Sequence, residues 1–319
     1  MEATSLAIAD TLVRLITSAQ GGQADAQYAL ADRYHRGAGV VRNDSLAAEW
    51  ARKAAEQSHA GAQFLLGALY YSGDSVPKDI SQAKGLFRLA AEGGDKYGQC
   101  WLGILLDHEA SQEGNSRKME EAARWMKASA KQGMPLAEFL LGTMYQEGVG
   151  VPKDHRSAIK WLTASAEHQN TDAQALLGTM YLDGEGVSRD RAKAEQWLRS
   201  AAENGSVEAL NRLAAAYGNG DGLPQSDSLA LAMATRSAEL GSTRGEFLAG
   251  FSLCCKTPSS IPPDEVTAYM WLTLAAEGGY EKARDFLVVL EGELKPAEVA
   301  EARRRAVDWR KQHPDLTDH

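Results

Sequence analysis

Seven histidines and three cysteines are the side chains in this sequence most able to do chemistry, and their spacing argues that they do none together. His35, His59, His108, His155, His168, His313 and His319 form no H-E-x-x-H or other metal-ligand pattern. Most fall in expected turns or tails, where a solvated surface role is anticipated. Cys254 stands beside Cys255 and before Lys256, a setting able to lower a thiol pKa, but no histidine is near in sequence to act as base. With Cys100, three cysteines make no even disulfide framework, and the adjacent pair is poorly placed to bridge itself. Glycine pairs such as Gly184 and Gly186 lack the Gly-Lys-Ser/Thr continuation or the strand context of a phosphate cradle, and read as turn residues. Arg303, Arg304 and Arg305 lie among Glu298, Glu301 and Asp308, the pattern of a solvated helix face. No catalytic centre, metal or cofactor is expected.

The bulk properties narrow the field further. With 44% apolar and 24% charged residues among 319, the chain has a soluble, globular composition. Its net charge of −9 opposes a nucleic-acid backbone, which calls for a basic surface. No run approaches the ~18 apolar residues of a membrane span. Glu2, Asp10 and Arg14 interrupt the start where a secretory signal needs an apolar stretch. A cytoplasmic location is therefore expected, and a periplasmic one only if a signal peptide has been removed.

What must position any functional residue is a repeat. Tyr34, Tyr70, Leu106, Tyr145, Tyr181, Tyr217 and Leu253 recur at intervals of 36, 36, 39, 36, 36 and 36 residues. A bulky landmark follows in each unit (Trp50, Leu86, Trp125, Trp161, Trp197, Met233, Trp271), and four residues later comes a small pair such as Ala54-Ala55 or Ser165-Ala166. Ala173, Leu177 and Tyr181 are spaced by four, so they share one face of a first helix. Ala194, Trp197, Ala201 and Ala202 do the same in a second helix, with the tryptophan expected to fill space left by the small residues. Between the helices RGAGV, EGVGV, DGEGV and NGDGL supply glycines for a tight turn. Such a hairpin buries its faces only by stacking on its neighbours, which is the logic of a solenoid.

These residues resemble a known family. Copies of A-x-x-x-L-G-x-x-Y, then G-x-G-V-x-x-D, then A-x-x-W-x-x-x-A-A-x-x-G are similar to the Sel-one-like repeat (SLR), a tetratricopeptide-like unit with a longer, glycine-rich turn. The tail, with AYMWLTLAAEGG followed by LKPAEVAEARRRAVDW, resembles the ending of many bacterial members. The resemblance implies an all-α fold, a right-handed α/α superhelical solenoid of seven helix-turn-helix repeats over residues 22–279. Residues 1–21 and 280–319 would form N- and C-terminal capping helices. The third unit carries DHEASQEGNSRKME and the seventh CCKTPSSIPPDE in place of the glycine turn, and both turns are expected to be irregular.

In a first helix, positions two, six and nine after the alanine of Ala173 lie about 200°, 240° and 180° around the axis, away from the buried face. In tetratricopeptide-like arrays these positions, with those at minus one and ten, line the concave groove. Carried over by resemblance, they give Asp25, Tyr28, Asp32 and His35 in the first unit, Phe64, Ala68 and Tyr71 in the second, and Tyr97, Cys100, Ile104 and Asp107 in the third. Leu136, Phe139 and Thr143 follow in the fourth, Asp172, Thr179 and Asp183 in the fifth, Glu208 and Asn211 in the sixth, and Arg244, Phe247 and Phe251 in the seventh. Each aromatic at plus two has an alternative role, packing on the next unit. The run from Phe64 to Phe139 as a group suggests an apolar interaction patch between acidic shoulders. The expected function is a non-enzymatic adaptor that holds another protein or peptide, such as an amphipathic helix with basic flanks, and no nucleic acid. An inhibitor, immunity protein or chaperone dedicated to one protein is the alternative, and a hydrolytic enzyme stands behind both.

Overall fold

The structure, a computed structural model, describes the backbone of residues 2–73, 76–254 and 262–314, with side chains from Thr11 onward. Two compact units divide it, residues 1–168 and residues 169–319. In the first unit α1 (Glu2–Gln20) precedes four hairpins, α2 (Ala24–Arg36) with α3 (Asp44–Glu56), α4 (Ala60–Ser72) with α5 (Ile80–Glu92), α6 (Lys96–Glu113) with α7 (Ser116–Ala130), and α8 (Pro135–Glu147) with α9 (His155–Glu167). In the second unit come α10 (Thr171–Asp183) with α11 (Arg191–Glu203), α12 (Val207–Asn219) with α13 (Asp227–Glu239), and α14 (Thr243–Cys254) with α15 (Glu265–Glu277). Two closing helices follow, α16 (Glu281–Glu293) and α17 (Pro296–Gln312). No strand occurs among the described residues, and the chain is an all-α solenoid of hairpins.

The motif accounts for each hairpin. The first helices of repeats one to six stop at a glycine in the left-handed region, for example Gly184 at φ 76°, where a Cβ would be strained. Every second helix starts at a residue whose side chain accepts from its first turn: Asn43, Asp79, Asn115, Asp154, Asp190, Ser226 and Asp264. That is the role of the aspartate in G-x-G-V-x-x-D. In most hairpins the same residue's N–H closes the turn on the carbonyl of the tyrosine landmark, as Asp190 does on Tyr181 at 3.0 Å.

The core differs from the expectation in one respect in every hairpin but the seventh, where Trp271 is buried as expected. Trp161 and Trp197 are half-buried, and the residue after each, Leu162 or Leu198, is fully buried instead. The helix turns 100° between neighbours, so the tryptophan is carried off the axis of contact. The buried residue presses on the first helix where Gly178 lies, and a Cβ built there would come 2.7 Å from Leu198 Cγ. Phe87 meets Gly67, Met126 meets Gly103, Leu162 meets Gly142 and Leu272 meets Gly250 in the same way, each within 2.7–2.8 Å of a built Cβ. In the first and sixth repeats the two positions are Ala31 with Ala51 and Ala214 with Ala234, all buried. Volume is thus shared between two helices as glycine plus a large residue or as two alanines.

The third turn is a second correction. The three extra residues do not form an irregular loop but lengthen α6 to 18 residues, leaving only Gly114 and Asn115 between the helices. Lys118 ties the extension down through Glu113 at 2.7 Å and Glu109 at 3.3 Å. The seventh turn, with Cys255 and Pro258, lies outside the described residues. At the ends, Leu12, Leu15 and Ile16 of α1 pack with Leu30 and Tyr34, and Trp309 of α17 meets Trp271 edge-on at 5.6 Å.

Candidate functional site

Three of the anticipated groove residues converge in the first unit. Ile104 and Asp107 on α6 and Thr143 on α8 line one cleft of about 160 Å³, together with Met126, Leu140, Met144, Glu147 and Val149. The third and fourth first helices stand side by side there, so positions plus six and plus nine of one face plus six of the next. Glu147, at plus ten, is the groove acid that the sequence reading omitted. The spacing that singles out Asp183 in the fifth unit reaches Glu147 in the fourth, so the signal was present.

Most plus-two residues serve the stacking of repeat on repeat. Tyr28 lies against His59 with ring centroids 4.5 Å apart, and Phe64 stacks on Tyr97 at 5.4 Å while touching Phe87 at 5.8 Å. Tyr71 meets Trp101 at 5.1 Å. Cys100 is fully buried, and that burial pushes its thiol up to about 12, so it is no nucleophile at neutral pH. Leu136 and Phe139 are half-buried, and neither lines the cleft.

In the second unit two expected groove residues are packing residues. Asn211 is 3% exposed, donates to Ser242 at 3.1 Å and accepts from Ser237 at 2.8 Å, so its amide is consumed inside the stack. Phe247 is buried against Tyr280 at 4.7 Å, Phe251 and Phe286. Phe251 keeps one edge in a smaller cleft, of about 90 Å³, that opens where the sixth repeat presents Ala215 and Gly218. Asp172, Glu208 and Arg244 are exposed, Thr179 is half-buried, and Asp183 is paired with Arg212. In the first unit Asp32 pairs with Arg36 at 2.8 Å, His35 with Asp44 at 2.7 Å, and Asp25 lies 3.4 Å from His59.

Three of the histidines have structural contacts, although His168 is itself exposed. His59 caps α4 through Ala62 N–H, His313 stacks on Trp309 at 4.3 Å, and His168 meets the buried carboxylate of Glu138 at 2.7 Å. His319 lies outside the described residues.

Sequence reasoning also missed a buried polar position directly after the small residue that opens most first helices, the sixth with Leu210 excepted. Gln27, Gln63 and Gln99 donate to the carbonyls of Ala19, Ala55 and Ala91 near the end of the preceding helix. Each adds a second hydrogen bond to a terminal carbonyl that already accepts from a turn N–H, that of Gly22, Ser58 or Gly94. The recurrence of Gln or Glu there was visible in the sequence. The seventh repeat places Glu246 at this position, 7% exposed, with Oε2 buried and unpartnered. Burial pushes its carboxyl up to about 7; Arg310 opposes the rise and Glu277 adds to it. Among the described residues no group of His, Cys, Asp and Glu side chains is disposed to hold a metal, and no helix is long and apolar enough to cross a membrane.

Comparison with known proteins agrees with this architecture. The family model described as Sel1 repeat matches seven times, over residues 24–59, 60–95, 96–134, 135–170, 171–206, 207–242 and 245–280. A protective antigen of uropathogenic Escherichia coli strains displaying an SLR fold is similar at 30% identity and TM-score 0.78, covering 96% of this chain and 64% of its own. A Sel1 repeat protein from Oxalobacter formigenes is similar at 30% identity and TM-score 0.64, covering 86% of this chain and 79% of its own. This chain therefore spans slightly less than two thirds of the first of these. No curated protein matches it.

Proposed function

The chain belongs to the Sel1 repeat family, and on that footing we propose that it is a non-enzymatic adaptor whose first-helix face holds a polypeptide segment of a partner protein. Sel1 repeat proteins generally mediate protein–protein interactions, and solenoids of this kind present long runs of side chains from successive units. The observation that carries the reading to this face is the α6–α8 cleft, where an apolar floor and free carboxylates open on side chains of first helices. The segment that suits it is an amphipathic helix with basic flanks, whose aliphatic groups meet Ile104 and Leu140 and whose basic groups meet the acids of the face. Apolar contacts would supply most of the affinity, with the carboxylates that line the cleft steering the encounter.

A photo-crosslinking amino acid placed at Thr143, and in a second variant at Lys160 on the outer second helix, tests this in the native host. The reading expects a discrete partner adduct from position 143 and none from 160. Adducts from 160 alone would move the partner to the second-helix face. Turnover that survives purification and is abolished by one side-chain change would replace the adaptor with an enzyme.

A further inference from the structure

We propose that the α6–α8 cleft is a subsite for one long cationic side chain, arginine or lysine, of the bound segment. The inference rests on the adaptor reading and deepens it, from a face that binds a polypeptide to a chemical choice at one position. Its physical basis is the inventory of the cleft. The floor is apolar, made by Ile104, Leu140 and Met144. The polar groups at its edge are Asp107, Glu147 and Thr143. Asp107 and Glu147 offer carboxylate oxygens, which are acceptors. Thr143 spends its only proton on the carbonyl of Leu140, at 2.8 Å, so its oxygen too is left as an acceptor. No cation lines the cleft, and among the described residues neither carboxylate has an ion-pair or hydrogen-bond partner. Two other acids of this face in the first unit do find partners, Asp32 in Arg36 and Asp25 in His59.

An apolar cavity edged only by acceptors selects its occupant. A leucine or norleucine side chain would satisfy the floor but strip water from two carboxylates and return nothing. An acidic side chain would be repelled. An aliphatic stem that ends in donors satisfies both parts at once: the methylenes lie on Ile104, Leu140 and Met144 while the charged head stays at the rim. A guanidinium would engage the carboxylates through its planar fork and an ammonium as a point charge, so the two heads are separable by measurement. The cleft is also roomy enough for more than a bridging water.

The test uses the full chain with ¹³C-methyl labels on Ile and Met, so that Ile104 and Met144 report directly. The probes are the N-acetyl, N-methylamide derivatives of arginine, lysine, norleucine and glutamate. The proposal expects saturable shifts of both methyls with the arginine or lysine derivative, binding at least about tenfold tighter than norleucine, since about 1.4 kcal/mol per tenfold is within reach of one charged hydrogen bond. Asp107→Asn with Glu147→Gln should remove that tenfold preference while the remaining methyl spectrum stays unchanged. The stronger of the two cationic probes identifies the head group. Norleucine binding as tightly as either cation, a preference that survives the double substitution, or no saturable shift with either cation would each overturn the proposal. Failure here with a partner adduct still formed from position 143 removes only the basic subsite; loss of the adduct as well removes the adaptor reading.

Discussion

Substituting Gly178 by alanine should destabilise the fifth repeat, although alanine is the better helix former. The added Cβ would lie 2.7 Å from Leu198 Cγ, 3.0 Å from its backbone nitrogen and 3.1 Å from its Cδ2. Carbon atoms do not approach so closely, so α10 and α11 must separate or Leu198 must leave its rotamer. Overpacking of this kind costs about 1–3 kcal/mol, against a gain of about 1 kcal/mol from replacing glycine inside a helix. Leu198 is fully buried, and Leu198→Ala alone should cost about 2–5 kcal/mol. The double variant recreates the pairing that the chain already uses at Ala31 with Ala51 and at Ala214 with Ala234. It should therefore cost less than the sum of the single changes by at least about 1 kcal/mol, because the new methyl enters the space that the leucine vacates. Denaturant midpoints by circular dichroism measure the cycle, with amide exchange in α10 and α11 as the local readout, since a repeat array need not unfold in one step. Additivity to within about 0.5 kcal/mol, or a Gly178→Ala protein more stable than the parent, would refute the volume-sharing account.

Other outcomes follow from the same packing. Leu162→Ala should destabilise by about 2–5 kcal/mol and Trp161→Ala by less, because Leu162 is the fully buried member of the pair; thermal melts with the reverse ranking would put the tryptophan back in the core. Ser58 holds φ 63° where every other repeat but the fourth, with Gln169, has glycine, so Ser58→Gly should raise stability by about 0.5–1 kcal/mol net of the extra chain entropy, and a lowered melting temperature would contradict the strain. Glu246 has its folded-state pKa raised from 4.5 to about 7, so the folded chain holds a proton that the unfolded chain releases. Its favourable contribution is fully present below about pH 4.5 and is lost as pH rises through about 7, a difference of order 3 kcal/mol. Glu246→Gln should thus raise the melting temperature at pH 8 and leave it nearly unchanged at pH 4.5; an equal gain at both pH values would show that ionisation is not the cause.

The hairpins, their limits and the turn glycines were legible because they rest on local rules: a period of 3.6, a left-handed glycine, a capping aspartate. Gly184 and Asp190 act within a few residues of themselves, so spacing alone describes them. Trp161 misled because a conspicuous side chain attracts attention, whereas burial depends on a 100° rotation that places the plainer Leu162 on the contact axis. Asn211 and Phe247 occupy the correct helical positions for a groove, yet the next unit approaches closely enough to cover them. The lengthened α6 was read as a loop because its glycines are missing, although a stretch without helix breakers can simply continue as helix.

Sequence by itself therefore determined the fold, the number of hairpins, the family and the helical face on which a partner would be sought, since all of these repeat every 36 residues or nearly so. Tertiary structure alone decided which members of that face remain open. Periodicity assigns the same direction to equivalent side chains in every unit, but neighbouring units carry different volumes, and only their packing leaves Asp107, Thr143 and Glu147 around a cleft while closing Cys100 and Phe247 into the core.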